Sequence, residues 1–252
     1  MRRFLPRVLR SALFGDRERW GMIPQRDDPM WQEWIKREVE IYRTVQKTGL
    51  GNVVNEAGYT IMREVALAGK TILEVGPGDL PHHREWQGRP ASYILVDQSS
   101  EFLASARERL GKLEIPIEEY SVDRFKPGEL MLPKDCADIV LSFYSLEHLY
   151  PLETYVSQLA SALKQGGLLV GSIPAEGGLA WGLGRLFTSR RWFRRHTTID
   201  LDKIICWEHP NFADQILACL EKFFILQSIR YWPMRLPSID GNLVVSFIMR
   251  KI

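Results

Sequence analysis

The chain has few cysteines, no long apolar run and almost no net charge. Cys136, Cys206 and Cys219 are odd in number and stand in no metal-ligand spacing. That excludes a disulfide-built secreted scaffold and a zinc ribbon, so buried thiols in a reducing compartment are expected, and no metal. Nowhere does the sequence reach the roughly 20 apolar residues that span a bilayer. Its start, Met1-Arg2-Arg3-Phe4-Leu5-Pro6, carries paired arginines with no long apolar region behind them, which argues against an export signal. The cytoplasm is the expected location. A net charge of +2 argues against general nucleic-acid binding, where a whole face is usually basic, and no nucleic-acid partner is expected. There is no internal repeat and no low-complexity tract. With 252 residues, of which 45% are hydrophobic and 25% charged, the chain can bury about 70 to 75% of its unfolded surface, enough for one full core.

One further absence is diagnostic. The apolar run Thr71-Ile72-Leu73-Glu74-Val75 closes on Gly76-Pro77-Gly78-Asp79, which reads as a buried strand ending in a tight turn where backbone can approach a ligand. A dinucleotide fingerprint would place a third glycine at position 81, where Pro81 stands, and Glu74 precedes the first glycine by two residues. A nicotinamide dinucleotide is therefore disfavoured. Asp97 closes the next apolar run, Tyr93-Ile94-Leu95-Val96-Asp97, at a distance that suits a carboxylate accepting hydrogen bonds from ribose hydroxyls.

At these residues the chain resembles the class I S-adenosylmethionine-dependent methyltransferases of the small-molecule type, whose first motif is an acid followed by Gly-x-Gly after an apolar strand. Ala137 to Leu149 is similar to the family's fourth-strand segment, and Leu163 to Val170 to the start of its fifth. The resemblance implies a Rossmann-like, doubly wound α/β sheet of seven mostly parallel strands, the last one antiparallel, with S-adenosylmethionine as cofactor. It places Glu74, Gly76, Gly78, Asp97, Gln98, Asp123 and Ser142 at the cofactor. Gln98 would face the adenine, Asp123 its amino group, and the backbone at Ser142 and Phe143 the sulfonium. His148, after the fourth strand, is the candidate base for an acceptor hydroxyl, with a structural helix start as the competing reading. Tyr144, Glu176, Trp181 and Arg185 are candidates for the acceptor site, with Glu208 and His209 as alternatives. His82 and His83 read as packing or capping residues.

Strands are predicted at Thr71 to Val75, Ser92 to Asp97, Ile115 to Ser121, Ala137 to Phe143, Gly167 to Ile173, Phe223 to Tyr231 and Leu243 to Met249. Between them lie crossover helices. Ser99 or Ser100 caps one that ends near Leu110 and Gly111; Pro151 opens another that stops at Gly166. Residues 69–252 form the expected catalytic domain, with an insertion at about 177–222, and residues 1–68 an N-terminal helical extension and cap. In the cap, Asp27-Asp28-Pro29 opens a helix carried to about Lys47 by Trp31, Trp34, Ile35, Tyr42 and Val45, and a second helix runs from Val53 to Leu67.

Two segments are basic. Leu5, Val8, Leu9, Ala12 and Leu13 recur at helical spacing with Arg3, Arg7 and Arg10 on the other side, a pattern that suits docking on the domain, an anionic membrane surface or a mitochondrial presequence. From Gly177 to Thr198 the chain carries Arg185, Arg190, Arg191, Arg194 and Arg195, interleaved with Trp181, Phe187, Trp192 and Phe193 and with no acid. Arginine forks match phosphates and tryptophan stacks on sugar or prenyl groups, so the expected acceptor is small or lipid-linked, such as a surface-glycan sugar methylated on oxygen, with peripheral contact at the inner membrane face. A quinone or natural product is the alternative acceptor, and a cofactor-binding subunit without transfer activity the alternative function.

Overall fold

The protein is described by a computed structural model that covers residues 2–46, 49–123, 125–126 and 130–252. Lys47, where the sequence ends the cap's tryptophan-rich helix, and the side chains of Arg3 and Val45 lie outside the described residues.

Seven strands form one sheet: β1 (Thr71–Val75), β2 (Ser92–Asp97), β3 (Ile117–Ser121), β4 (Ala137–Phe143), β5 (Leu163–Pro174), β6 (Phe224–Pro233) and β7 (Asn242–Lys251). Their order is β3-β2-β1-β4-β5-β7-β6, and only β7 runs antiparallel to its neighbours. This is the predicted doubly wound, Rossmann-like arrangement. The central strands are apolar on both sides because helices cover both faces. Alternation then sorts them: Leu73 and Val140 point into one core, Ile72, Ile139 and Leu141 into the other.

The helices are α1 (Arg7–Phe14), α2 (Arg17–Trp20), α3 (Pro29–Ile41), α4 (Gly49–Tyr59), α5 (Ser100–Lys112), α6 (Leu152–Ala162), α7 (Leu179–Phe187), α8 (Ser189–His196), α9 (Leu201–Glu208) and α10 (Ala213–Leu220). Asp28 caps α3, accepting from the amides of Met30 and Trp31, with Pro29 in the first turn. Ser99 caps α5 through the amide of Phe102.

Three boundaries differ from the sequence reading. The helix opened by Pro151 stops at Ala162, not Gly166, because Leu163 is fully buried and already pairs with Ala137; Ile139 then pairs with Leu168, so Lys164 to Gly167 bulge out of β5. The helix read over Val53 to Leu67 ends at Tyr59 and tightens into a 3-10 turn, Thr60–Glu64. Strand β3 starts at Ile117, since Pro116 has no amide to give to the ladder.

The cap and the insertion share a third core. Trp31, Trp34 and Ile41 of α3 pack with Phe193 of α8 and with Ile204, Ile205 and Trp207 of α9. Residues far apart in sequence thus form one lid layer over the carboxyl edge of the sheet.

Candidate active site

A cavity of about 1000 Å³ opens at that edge. The ends of β1, β2 and β4 form its floor, and the lid layer its roof. Ligands bind at this edge in open α/β sheets because the loops after adjacent strands diverge there.

One end is built from the two glycines and the two strand-end acids. Gly76 and Gly78 have φ of 68° and 53°, the left-handed region where glycine carries no side-chain penalty. A Cβ on Gly76 would lie 2.6 Å from Cβ of Ser145, and one on Gly78 would lie 2.7 Å from Oη of Tyr42, so neither position has room for a side chain. Asp97 is buried; its Oδ1 accepts from the amide of Ser99 at 2.8 Å, and burial pushes its carboxyl up to about 6. Gln98 beside it is exposed and lines the cavity.

Glu74 is fully buried and spends its carboxylate within the protein. His82 Nε2 sits 2.7 Å from Oε1, and the hydroxyl of Tyr93 donates to Oε2. Trp86 Nε1 donates to His82 Nδ1 at 2.9 Å, which leaves the imidazole proton on Nε2, facing Glu74. Read from sequence as a packing or capping residue, His82 is buried and also holds Glu74, a role its position alone does not announce. An i, i+4 His-Trp pair after the glycine turn was the available signal.

The other end gathers His148, Trp181, Trp207 and His209. His148 comes from the short turn Leu146–His148 after β4, and its Nδ1 lies 3.1 Å from Glu208 Oε2. His209, which caps α9, lies edge-on to His148 with ring centroids 4.6 Å apart. Its Nδ1 is 2.5 Å from Oε2 of the buried Glu176, whose Oε1 takes Arg17 at 3.2 Å. Glu147 is buried, faces the cavity, and has its carboxyl pushed up to about 7 by desolvation. It was not singled out from sequence, although an acid inside Ser145-Leu146-Glu147-His148-Leu149 was a visible signal.

Four expected site residues are placed otherwise. Asp123 lies outside the cavity lining and pairs at 3.3 Å with Arg26, in the segment that leads into α3. Ser142 is buried under the floor with its hydroxyl 2.6 Å from that of Ser145; Phe143 and Ser145 reach the cavity instead. Glu176 is likewise absent from the lining, and Arg17 and His209 occupy it. Arg185 touches the cavity, but its guanidinium donates to the carbonyls of Ala12 and Leu13 and to Asp202 at 2.8 Å. Those carbonyls belong to the last turn of α1, where helix acceptors lack internal partners, so Arg185 is the peg that docks α1. Tyr144 and Trp181 do line the cavity; the Tyr144 hydroxyl donates to the carbonyls of Val54 and Asn55 in α4.

Residues 73–171 match the sequence profile of the family described as Methyltransferase domain. Among solved structures, the chain is similar to the N-methyltransferase NodS from Bradyrhizobium japonicum in complex with S-adenosyl-L-homocysteine, at 15% identity and a TM-score of 0.59, covering 89% of this chain and 99% of that one. It is similar to an S-adenosylmethionine-dependent methyltransferase from Mesorhizobium loti at 14% identity and a TM-score of 0.51, covering 83% and 99%. The [4+2]-cyclase SpnF also shares the fold, at 13% identity and a TM-score of 0.55, covering 82% and 84%. No curated protein matches the sequence. The solved structures establish the fold, and the profile match spans the glycine turn, the second strand and the fourth and fifth strands on which the resemblance rests. Residues 73–171 thus match a methyltransferase domain, carried on the fold of the S-adenosylmethionine-dependent methyltransferases.

Proposed function

We propose that the chain transfers a methyl group from S-adenosylmethionine to a hydroxyl of a small or lipid-linked acceptor, a surface-glycan sugar being the leading class. The residues fit the cofactor: a glycine turn with no side chain in the way, and a buried strand-end carboxylate on the cavity wall. Gly76 and Gly78 would bring backbone against it, Asp97 would accept from the ribose, and Gln98 would lie along the adenine. Bound there, the sulfonium supplies a methyl group that is already electrophilic, so the protein's task is alignment and exclusion of water.

His148 carries the reading of the acceptor end. Glu208 fixes its Nδ1, which leaves Nε2 toward the cavity, where it can orient an acceptor hydroxyl or take its proton. Trp181, Trp192 and Trp207 give flat apolar walls that suit a sugar ring or a prenyl chain. Residues 1–68 act in this reading as the cap that completes the acceptor pocket.

The same reading places the protein at the inner face of an anionic membrane. The apolar residues Phe4, Val8 and Leu9 near α1, and Leu183 and Phe187 of α7, are exposed, and Arg191, Arg194 and Arg195 of α8 are exposed beside them in sequence. Exposed apolar side chains with exposed cations nearby in sequence suit an anionic lipid surface.

The test is a screen of glycan, lipid-linked and quinone acceptors with methyl-labelled cofactor. Label on the oxygen of a sugar or lipid-linked sugar is expected. Transfer only to quinones or to nitrogen would replace the acceptor class, and stoichiometric cofactor binding without transfer to any acceptor would leave a cofactor-binding subunit.

A further inference from the structure

Three ligand atoms converge at the acceptor end. One carboxylate oxygen of Glu147 and one ring nitrogen each of His148 and His209 all lie within 4.8 Å of one another. Glu147 is 2% exposed, and its Oε2 is buried without a hydrogen-bond partner. Such an atom forfeits its hydration with nothing in return, a situation native proteins keep rare.

The two imidazoles are prepared in the same way. His148 gives Nδ1 to Glu208 at 3.1 Å, and His209 gives Nδ1 to Glu176 at 2.5 Å, with Arg17 holding Glu176 from its other side. Carboxylate partners fix the proton on Nδ1 and turn the lone pair of Nε2 outward, the arrangement typical of metal-binding histidines. With both Nδ1 atoms committed, each Nε2 lone pair is left for a donor or a cation. Around them lie the carboxylates of Glu147, Glu176 and Glu208, and Arg17 brings a permanent positive charge to Glu176.

We propose that Glu147, His148 and His209 bind one divalent transition-metal ion, with Glu208 and Glu176 as orienting partners. Two imidazoles and one carboxylate suit zinc, manganese or ferrous iron, whereas magnesium and calcium prefer oxygen throughout. Three protein ligands leave open positions on the cavity side, where an acceptor oxygen can bind. This rests on the acceptor-end reading and gives it a chemistry: the ion orients the hydroxyl, and His148 acts on the hydroxyl's proton through the ion it holds, in place of taking that proton directly.

The test needs neither cofactor nor acceptor, so its failure is separable from failure of the methyl-transfer reading. Full-length protein freed of metal is titrated with Zn²⁺ against a chromophoric chelator, and Co²⁺ absorption reports the ligand type. One ion per chain is expected, with nitrogen and oxygen but no thiolate bands. Glu147→Gln and His209→Ala should each weaken it at least 10-fold, Glu208→Gln by about 10- to 100-fold, and Cys136→Ser should leave it unchanged. Calorimetry with S-adenosylmethionine, expected to be unaltered in Glu147→Gln, checks that the variants are folded. If a ligand variant does not fold, Glu208→Gln decides. Binding that survives these changes, binding abolished by Cys136→Ser, or no saturable site in wild type would overturn the assignment.

Discussion

At the cofactor end the polar groups find partners close by: Glu74 meets His82 eight residues away and Tyr93 on the neighbouring strand, and Asp97 meets the amide of Ser99. At the acceptor end they reach across the chain. His148 meets Glu208 over 60 residues, Glu176 meets Arg17 over 159, and Arg185 meets Leu13 over 172. The first end is set by a contiguous motif and the packing of one strand pair. The second exists only once cap and insertion have folded onto each other, which lets acceptor chemistry vary while the cofactor turn stays fixed.

The largest effect expected from separating the two ends is on turnover. His148→Ala should lower it by about 100- to 10,000-fold on the true acceptor, the usual span for a group acting on the transferred proton, with cofactor affinity kept. A loss under threefold would return His148 to a structural role.

Next comes the peg between cap and insertion. Arg185→Ala leaves the last carbonyls of α1 and the carboxylate of Asp202 short of a partner, although Arg190 also reaches Asp202. Removing one partner of a buried charged pair costs about 3 kcal/mol or more. A thermal melt should show it, with acceptor KM raised and cofactor affinity unchanged; an unaltered melt would mean that α1 docks without this residue.

At the cofactor end, Asp97→Ala should remove charge-assisted bonds worth roughly 1.5 to 3 kcal/mol of binding. The ionised form is the better acceptor, so affinity should fall as pH drops below about 6, where this carboxyl takes its proton. Stability runs the other way. A carboxyl raised by burial favours the folded state when protonated, so its contribution is present below the ordinary carboxylate range and is lost as pH rises through about 6. Asp97→Asn should therefore melt no lower than wild type at pH 7.5 while binding cofactor less tightly, and a lower melt would contradict the desolvation account.

This asymmetry also governs what the sequence discloses. The bounds of β1, β2 and β4 follow from apolar runs closed by Gly76, Asp97 and Phe143, because a strand buried on both faces needs no distant partner to declare itself. Gly166 misled because a glycine after an apolar helix looks like a helix stop, and only the pairing of Leu163 with Ala137 shows that the strand has begun. Arg185 read as an acceptor contact because its partners, the carbonyls of Ala12 and Leu13, are backbone groups that every sequence has. Asp123 pairs with Arg26, a partner that nothing local announces. Glu147 stands at a legible place, inside the segment after β4, but only the fold shows that its carboxylate is buried.

The smallest effect per residue lies on the surface. Changing Arg191, Arg194 and Arg195 to Ser should weaken co-sedimentation with anionic vesicles by about 1 kcal/mol per residue, and more at low salt than at high. Equal binding to neutral vesicles, or no salt dependence, would remove the membrane from the account.

The division of the cavity itself is tested by one calorimetric experiment, in which S-adenosylmethionine is titrated into wild type, Asp97→Ala and His148→Ala side by side. The account predicts at least about tenfold weaker binding in Asp97→Ala and binding within twofold of wild type in His148→Ala. Equal losses in both variants, or full affinity in Asp97→Ala, would contradict it.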